Sequence, residues 1–217
     1  MPHTLYHGSP AKDFTPTFGL GRDEHDYGRG FYTTADIELG REWAAGQRAG
    51  ENGWLHVYEV DLGGLKVFDF EQTGVLPWLA ELMKHRKADD TPSYRREAGK
   101  FIDKFGLDLS GYDVIRGWRA DASFFFIASM FVRNQVDVSL LDRLLTLGGL
   151  GIQYFFKSPD AFAALKERKD LLEPVDIAPY RVRYDERDAE ARRQMEALIY
   201  DETANPLVKT FRDLVHG

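Results

Sequence analysis

The sharpest structural signal is a two-residue alternation over residues 54–62, which puts Trp54, His56, Tyr58, Val60 and Leu62 on one face of a strand. A strand with one apolar face cannot stand alone, because its backbone donors and acceptors need neighbours. The candidate partners are short and scattered along the chain. They cover residues 4–7, stopped by Gly8-Ser9-Pro10, then 30–34, 65–70 after the Gly63-Gly64 turn, 112–118, 152–156 and 182–184. Helical spacing of apolar residues fills the intervals at 36–47, 75–87, 92–105, 122–134, 140–147 and 158–168, with charged tail helices at 186–200 and 206–215. Ser139 is read as a cap and Ser158-Pro159 as a helix start. Short strands separated by irregular helical insertions do not alternate as a doubly wound sheet would, so the fold class is α+β.

Composition narrows the chemistry. The 217 residues suit one domain with an appendage, and the absence of cysteine excludes disulfides, zinc ribbons and a thiolate nucleophile. A net charge of -7, from 28 basic and 35 acidic side chains, argues against bulk binding of nucleic acid while leaving room for a local basic spot. No apolar run reaches the roughly 18–20 residues of a membrane span. Met1-Pro2-His3-Thr4 lacks the basic-then-apolar start of a signal, so the expectation is a cytoplasmic chain with no membrane partner.

Several motifs lead nowhere. Gly28-Arg29-Gly30 precedes a strand, not a helix, and so is no dinucleotide fingerprint. The six histidines show no metal-ligand spacing, and neither Ser9 nor Ser123 lies in a nucleophile elbow. Asp23-Glu24-His25-Asp26 reads as a solvated acidic loop, with a cation cradle as the alternative, and Phe124-Phe125-Phe126 as core. Three polar or aromatic residues on strands remain. His7 ends the first strand directly before Gly8, whose missing Cβ lets another group approach the backbone. Tyr32 lies on a strand entered through two glycines. Gln153 sits in the otherwise apolar Ile152-Gln153-Tyr154-Phe155-Phe156, where its amide must be networked or face a cleft. Taken singly, each also reads as structural: a satisfied histidine, a core tyrosine, a networked amide.

Their order along the chain resembles the His-Tyr-Glu class of ADP-ribosyltransferases, which includes diphtheria-toxin-like toxins and the poly(ADP-ribose) polymerases. More closely, the chain is similar to bacterial ADP-ribosyltransferase-like domains. The resemblance rests on Leu5-Tyr6-His7-Gly8-Ser9, Gly28-Arg29-Gly30-Phe31-Tyr32-Thr33-Thr34, Trp43-Ala44, Tyr112-Asp113-Val114-Ile115 with Ala120-Asp121, and Gln153-Tyr154-Phe155-Phe156, and it covers roughly residues 4–168. It implies a split β-sheet core with inserted helices and NAD as co-substrate. His7 would bond a ribose hydroxyl, Gly8 and Ser9 would hold the nicotinamide carboxamide, and Tyr32 would stack on the nicotinamide ring. Phe31 and Thr33 belong to the same cofactor-binding stretch. Gln153 falls where the class usually has Glu. Arg29, with Arg22, is our charge-based expectation for the pyrophosphate, and the loop over residues 14–27 would cover the cofactor.

Breaking the nicotinamide–ribose bond passes through an oxocarbenium-like state, so orientation and charge stabilisation matter most. Gln153 can bond a ribose hydroxyl and cannot supply the negative charge of a Glu; Asp121 or Glu24 are the expected substitutes. It also disfavours chain elongation, which needs an activated acceptor hydroxyl. The expected function that the resemblance implies is mono-ADP-ribosyl transfer to a protein or nucleic-acid acceptor by a bacterial intracellular toxin, either held in check by a small antitoxin protein or of phage-defence type. An inactive NAD or ADP-ribose binding module and an NAD glycohydrolase are the alternatives. The expected division is a transferase-like domain over 1–170 and a helical extension over 171–217 packed on it, with a partner surface as the alternative role for the extension.

Overall fold

The computed structural model describes residues 2–45, 53–120, 123–147, 149, 151–200 and 208–217. Asp121 lies outside that set, as do residues 46–47, 122 and 206–207 of the helices expected from the sequence. The fold is α+β. Its strands are β1 (His3–Ser9), β2 (Phe31–Thr34), β3 (Gly53–Val60), β4 (Val67–Asp69), β5 (Val114–Trp118), β6 (Ile152–Phe156), β7 (Leu165–Glu167) and β8 (Glu173–Val175). Its helices are α1 (Ile37–Ala45), α2 (Val75–His85), α3 (Pro92–Phe105), α4 (Ser123–Val132), α5 (Leu141–Leu145), α6 (Pro159–Ala163), α7 (Ile177–Tyr200) and α8 (Phe211–His216). Among the described residues no helix is long and apolar enough to cross a membrane.

The strands form one sheet in the order β4-β5-β6-β2-β1-β3-β7, with β8 also paired to β3. All pairings are antiparallel except β4 with β5, whose connection runs through α2 and α3. Residues on the strands alternate between two packing regions. Ile115 and Phe155 join a helical core with α2, α3, α4, α5 and α8, whereas Val114 and Phe156 join Leu5, Phe31, Tyr58 and Val60 on the opposite side. Leu55 of β3 packs instead with Ala44 of α1 and Val175 of β8, so β3 is buried on both faces.

The sheet is nearly divided in the middle. Strands β1 and β3 pair along seven positions, but β1 and β2 share only the pair Tyr6↔Thr34 and part beyond it. This narrow join makes a seam inside one connected sheet. His7, Gly8 and Ser9 lie on one side of the seam, Phe31 and Tyr32 on the other.

Several expected elements change under tertiary packing. Residues 182–184 belong to α7 and not to a strand. The helix expected over 158–168 stops at Ala163, because Leu165 and Glu167 are drawn into pairing with Val60 and Tyr58. Strand β8 escaped the sequence reading because Pro174 hides it; Pro is tolerated there opposite Trp54 because β8 has β3 as its one strand partner. Ser139 is not a cap: Asp137 caps the short 3-10 turn Val138–Leu140 that leads into α5, its Oδ1 accepting from the Ser139 amide at 2.9 Å, while its Oδ2 accepts from the Val208 and Lys209 amides. The three successive phenylalanines of α4 step around the helix, leaving Phe124 buried, Phe125 half-buried and Phe126 exposed. The first strand after residue 170, β8, belongs to the sheet, and the helices beyond it carry buried side chains. Ala191 and Met195 of α7 and Phe211 and Leu214 of α8 are buried, with Phe211 5.3 Å from Phe131.

Gly8 carries a strict packing requirement. A Cβ there would lie 2.0 Å from the Ala44 amide nitrogen and 2.3 Å from the Gly40 carbonyl oxygen, both backbone atoms of α1. The group that approaches Gly8 closely is thus a helix of the same chain. Gly8→Ala should lower the urea unfolding midpoint by the equivalent of about 3 kcal/mol or prevent folding, since backbone cannot yield as a side chain does; an unchanged midpoint would show that α1 can retreat from β1.

Candidate active site

An open cavity of about 1090 Å³ lies over the seam, somewhat larger than the ~300–1,000 Å³ usual for small-ligand sites. His7, Tyr32 and Gln153 all line it, each from a different strand. The loop between β1 and β2 lines it as well, from Phe14 to Thr17 and from Glu24 to Asp26.

His7 bridges the seam. Its Nδ1 lies 2.7 Å from the Tyr32 carbonyl oxygen, which can only accept, so Nδ1 carries the proton. Burial against Phe14 and Phe31, with ring centroids at 5.0 and 4.6 Å, lowers its pKa to about 4. At neutral pH the ring is therefore uncharged, and Nε2 holds a lone pair with no partner among the described residues.

Tyr32 lines the cavity and is held at its hydroxyl, with the His25 ring edge-on to it at 5.6 Å and Tyr27 stacked at 6.4 Å. The hydroxyl donates to the Gly28 carbonyl at 2.7 Å and accepts from the Tyr27 amide at 3.0 Å. Gly28 has φ +85°, a conformation that an L side chain rarely adopts, and this turn brings its carbonyl under the phenol. Burial drives the phenol well above its ordinary pKa, so it stays neutral. Phe155 packs on the ring at a centroid distance of 4.7 Å.

Gln153 is 3% exposed and oriented without ambiguity. Its Nε2 donates to Asp26 Oδ2 at 2.8 Å and to the Trp118 carbonyl at 3.2 Å, and both partners are acceptors. The amide nitrogen must face them, which leaves Oε1 with no hydrogen-bond partner among the described residues. Asp26 is itself buried, at 8% exposed. Its Oδ1 accepts from Arg86 Nη1 at 2.8 Å, and its Oδ2 also accepts from the Ala120 amide at 2.9 Å. The neighbouring Tyr27 hydroxyl donates to the Trp118 carbonyl at 2.7 Å and accepts from Trp78 Nε1 at 3.0 Å.

Other expected site residues fall elsewhere. Arg29 is exposed and forked onto Asp23, with contacts of 3.1 and 2.7 Å, and does not line the cavity; nor does Arg22. Thr33 is fully buried on β2, and Ser9 is turned to the Ala11 amide at 3.1 Å. Gly8 and Phe31 do line the cavity. Of the carboxylates expected to replace the missing Glu, Glu24 lines the cavity from an exposed position and Asp121 is outside the described residues. The carboxylate that touches Gln153 is Asp26, and its partner Arg86 comes from the end of α2. Neither was singled out in the sequence, because the run Asp23-Glu24-His25-Asp26 looks solvated throughout. The available signal was the aromatic Tyr27 next to it, which announces that the loop dives into the core at that point.

The comparisons with known proteins follow this geometry. Residues 3–166, from β1 into β7, match the family described as "Protein of unknown function (DUF3990)". The chain belongs to that family. The DUF3990 segment holds His7, Asp26, Tyr32, Arg86 and Gln153, while α7, which also lines the cavity, lies beyond it. No curated protein and no solved structure matches the chain.

The His7 tautomer leads to a pH prediction. A histidine whose pKa is lowered on folding adds stability above its unfolded value of about 6.5 and loses it as pH falls toward about 4. Replacing it by a group that does not titrate should flatten that segment. Unfolding midpoints measured from pH 7 to 4 should therefore fall less steeply for His7→Gln than for the wild type; parallel curves would mean that His7 is accessible to protons in the native state.

Proposed function

We propose that this protein uses NAD as a donor of ADP-ribose and transfers a single unit to an acceptor. The observation that carries the reading is the convergence of His7, Tyr32 and Gln153 on one cavity, with the Gln153 carbonyl freed by Asp26. Below the nicotinamide, the Tyr32 ring offers an aromatic face whose hydroxyl is already committed, so the ring is fixed before ligand arrives. The neutral Nε2 of His7 and the Oε1 of Gln153 are two acceptors suited to ribose hydroxyls. Past Tyr6 the β1 edge toward β2 has no strand partner, which leaves backbone there for a carboxamide.

In this reading the bond between the nicotinamide nitrogen and C1′ breaks with its electron pair leaving on nicotinamide. An acceptor lone pair forms the new bond to C1′ and the acceptor releases its proton. Positive charge develops on the ribose in between. The Gln153 carbonyl presents the negative end of a dipole to it, and the Asp26 carboxylate lies directly behind the amide. Gln153 cannot take a proton from an acceptor hydroxyl, which favours single transfer over chain growth. One observation favours a second reading, an NAD-binding module without turnover. Arg86 sits 2.8 Å from Asp26 and offsets much of the negative charge beside Gln153.

Labelled NAD incubated with cell lysate separates the two. The transferase reading expects label transfer or nicotinamide release that falls at least about tenfold in His7→Ala, Tyr32→Ala and Asp26→Asn. Binding of NAD with no release supports the module, and no binding by the wild type ends both readings. Gln153→Glu, which would restore the residue usual in the His-Tyr-Glu class, should here abolish activity and cost about 2 kcal/mol or more. The new carboxylate would meet Asp26 and the Trp118 carbonyl with no hydrogen to share. A rise in turnover for that variant would mean that the Asp26 arrangement yields easily.

A further inference from the structure

Three cationic side chains line the cavity among the described residues: Arg86, Arg119 and Arg181. Two of them are committed. Arg86 pairs with Asp26 at 2.8 Å and Arg119 with Glu42 at 3.3 Å. Arg181 has no ion-pair or hydrogen-bond partner among the described residues. Its environment explains why. Helix α7 is fastened to α1 through Arg183, 2.8 Å from Glu38, and Arg187, 2.5 Å from Glu42. Tyr180 and Tyr184 of α7, which also line the cavity, are each covered by one of these same arginines. Arg181 stands roughly 200° around the helix from Arg183, on the flank that borders the cavity. Asp185 lies one turn further along the same flank and also lines the cavity.

We infer that Arg181 forms a phosphate subsite that receives the pyrophosphate of NAD, a role that rests on the NAD reading above. A dinucleotide brings two negative phosphates into a space where Glu24, Asp26, Glu42 and Asp185 already contribute carboxylates. It needs a cation not already neutralised, and the guanidinium of Arg181 meets that need with two parallel donors. Arg29, which the sequence suggested for this task, is turned away onto Asp23. The subsite therefore comes from the helix beyond the DUF3990 segment, and the fastening of α7 to α1 sets the distance between the phosphate end and the nicotinamide end of the site.

Calorimetric binding of NAD and of nicotinamide riboside, which shares the reactive end and lacks phosphate, tests this. Arg181→Gln should weaken NAD about tenfold and leave the riboside unchanged, Arg181→Lys should recover most of the loss, and Asp185→Asn should tighten NAD a few-fold. Arg181 is exposed, so the thermal midpoint should not move. If the wild type binds NAD and Arg181→Gln binds it equally well, the subsite is refuted while the functional reading stands. If Arg181→Gln leaves NAD binding intact but slows transfer to a phosphate-bearing acceptor, the phosphate belongs to the acceptor and the assignment to NAD is overturned. A wild type that binds neither ligand removes both proposals together.

Discussion

The Asp26 carboxylate is the tie on which the middle of the molecule depends. It accepts from Arg86 at the end of α2, from the Ala120 amide just after β5, and from Gln153 on β6. A loop that looks solvated is thereby pulled under the sheet, and three separate segments are held at fixed distances. Burying a charge in this way is costly unless it is paired and hydrogen-bonded, and here a guanidinium, an amide N–H and a side-chain NH2 bond the carboxylate. The same tie helps decide which way Gln153 faces. The Trp118 carbonyl accepts from the same nitrogen, so the two acceptors together turn the amide oxygen away from them.

A second constraint works alongside it. Because β1 and β2 share a single pair, the sheet opens where His7 and Tyr32 face each other, and the imidazole of His7 takes up the Tyr32 carbonyl that a strand would otherwise have bonded. Side-chain chemistry replaces ladder chemistry at that point. The Tyr32 hydroxyl, bonded to Gly28 and Tyr27, likewise secures the loop that carries Asp26. The seam, the loop and the buried carboxylate are therefore one connected polar structure, and α7 adds a wall anchored on the outer face of α1.

What could be read in the sequence follows a physical divide. Local periodicity was enough for β3, α2, α3 and α4, where one pattern extends over eight or more residues. It was not enough for β7 and β8, three residues each, which exist because β3 offers an edge and not because of their own propensity. The site shows the same contrast. His7, Tyr32 and Gln153 could be picked out by their order along the chain, although each taken singly also reads as structural. Asp26 and Arg86 could not, because an acid in an acidic loop and an arginine at a helix end look like solvent-facing residues until packing encloses them, and Arg181 gave no signal because it is an exposed arginine on a helix. Arg29 shows the reverse error: a cation beside a motif is not a cation in the site.

The central claim is that a dinucleotide enters this cavity with its reactive end at the seam. A crystal structure of the chain soaked with NAD tests it most directly. The account predicts nicotinamide against the Tyr32 ring and a ribose hydroxyl within hydrogen-bond distance of Gln153 Oε1, with Nε2 of His7 as a second acceptor. NAD seated elsewhere, or Gln153 turned so that its carbonyl no longer faces the ligand, would contradict it.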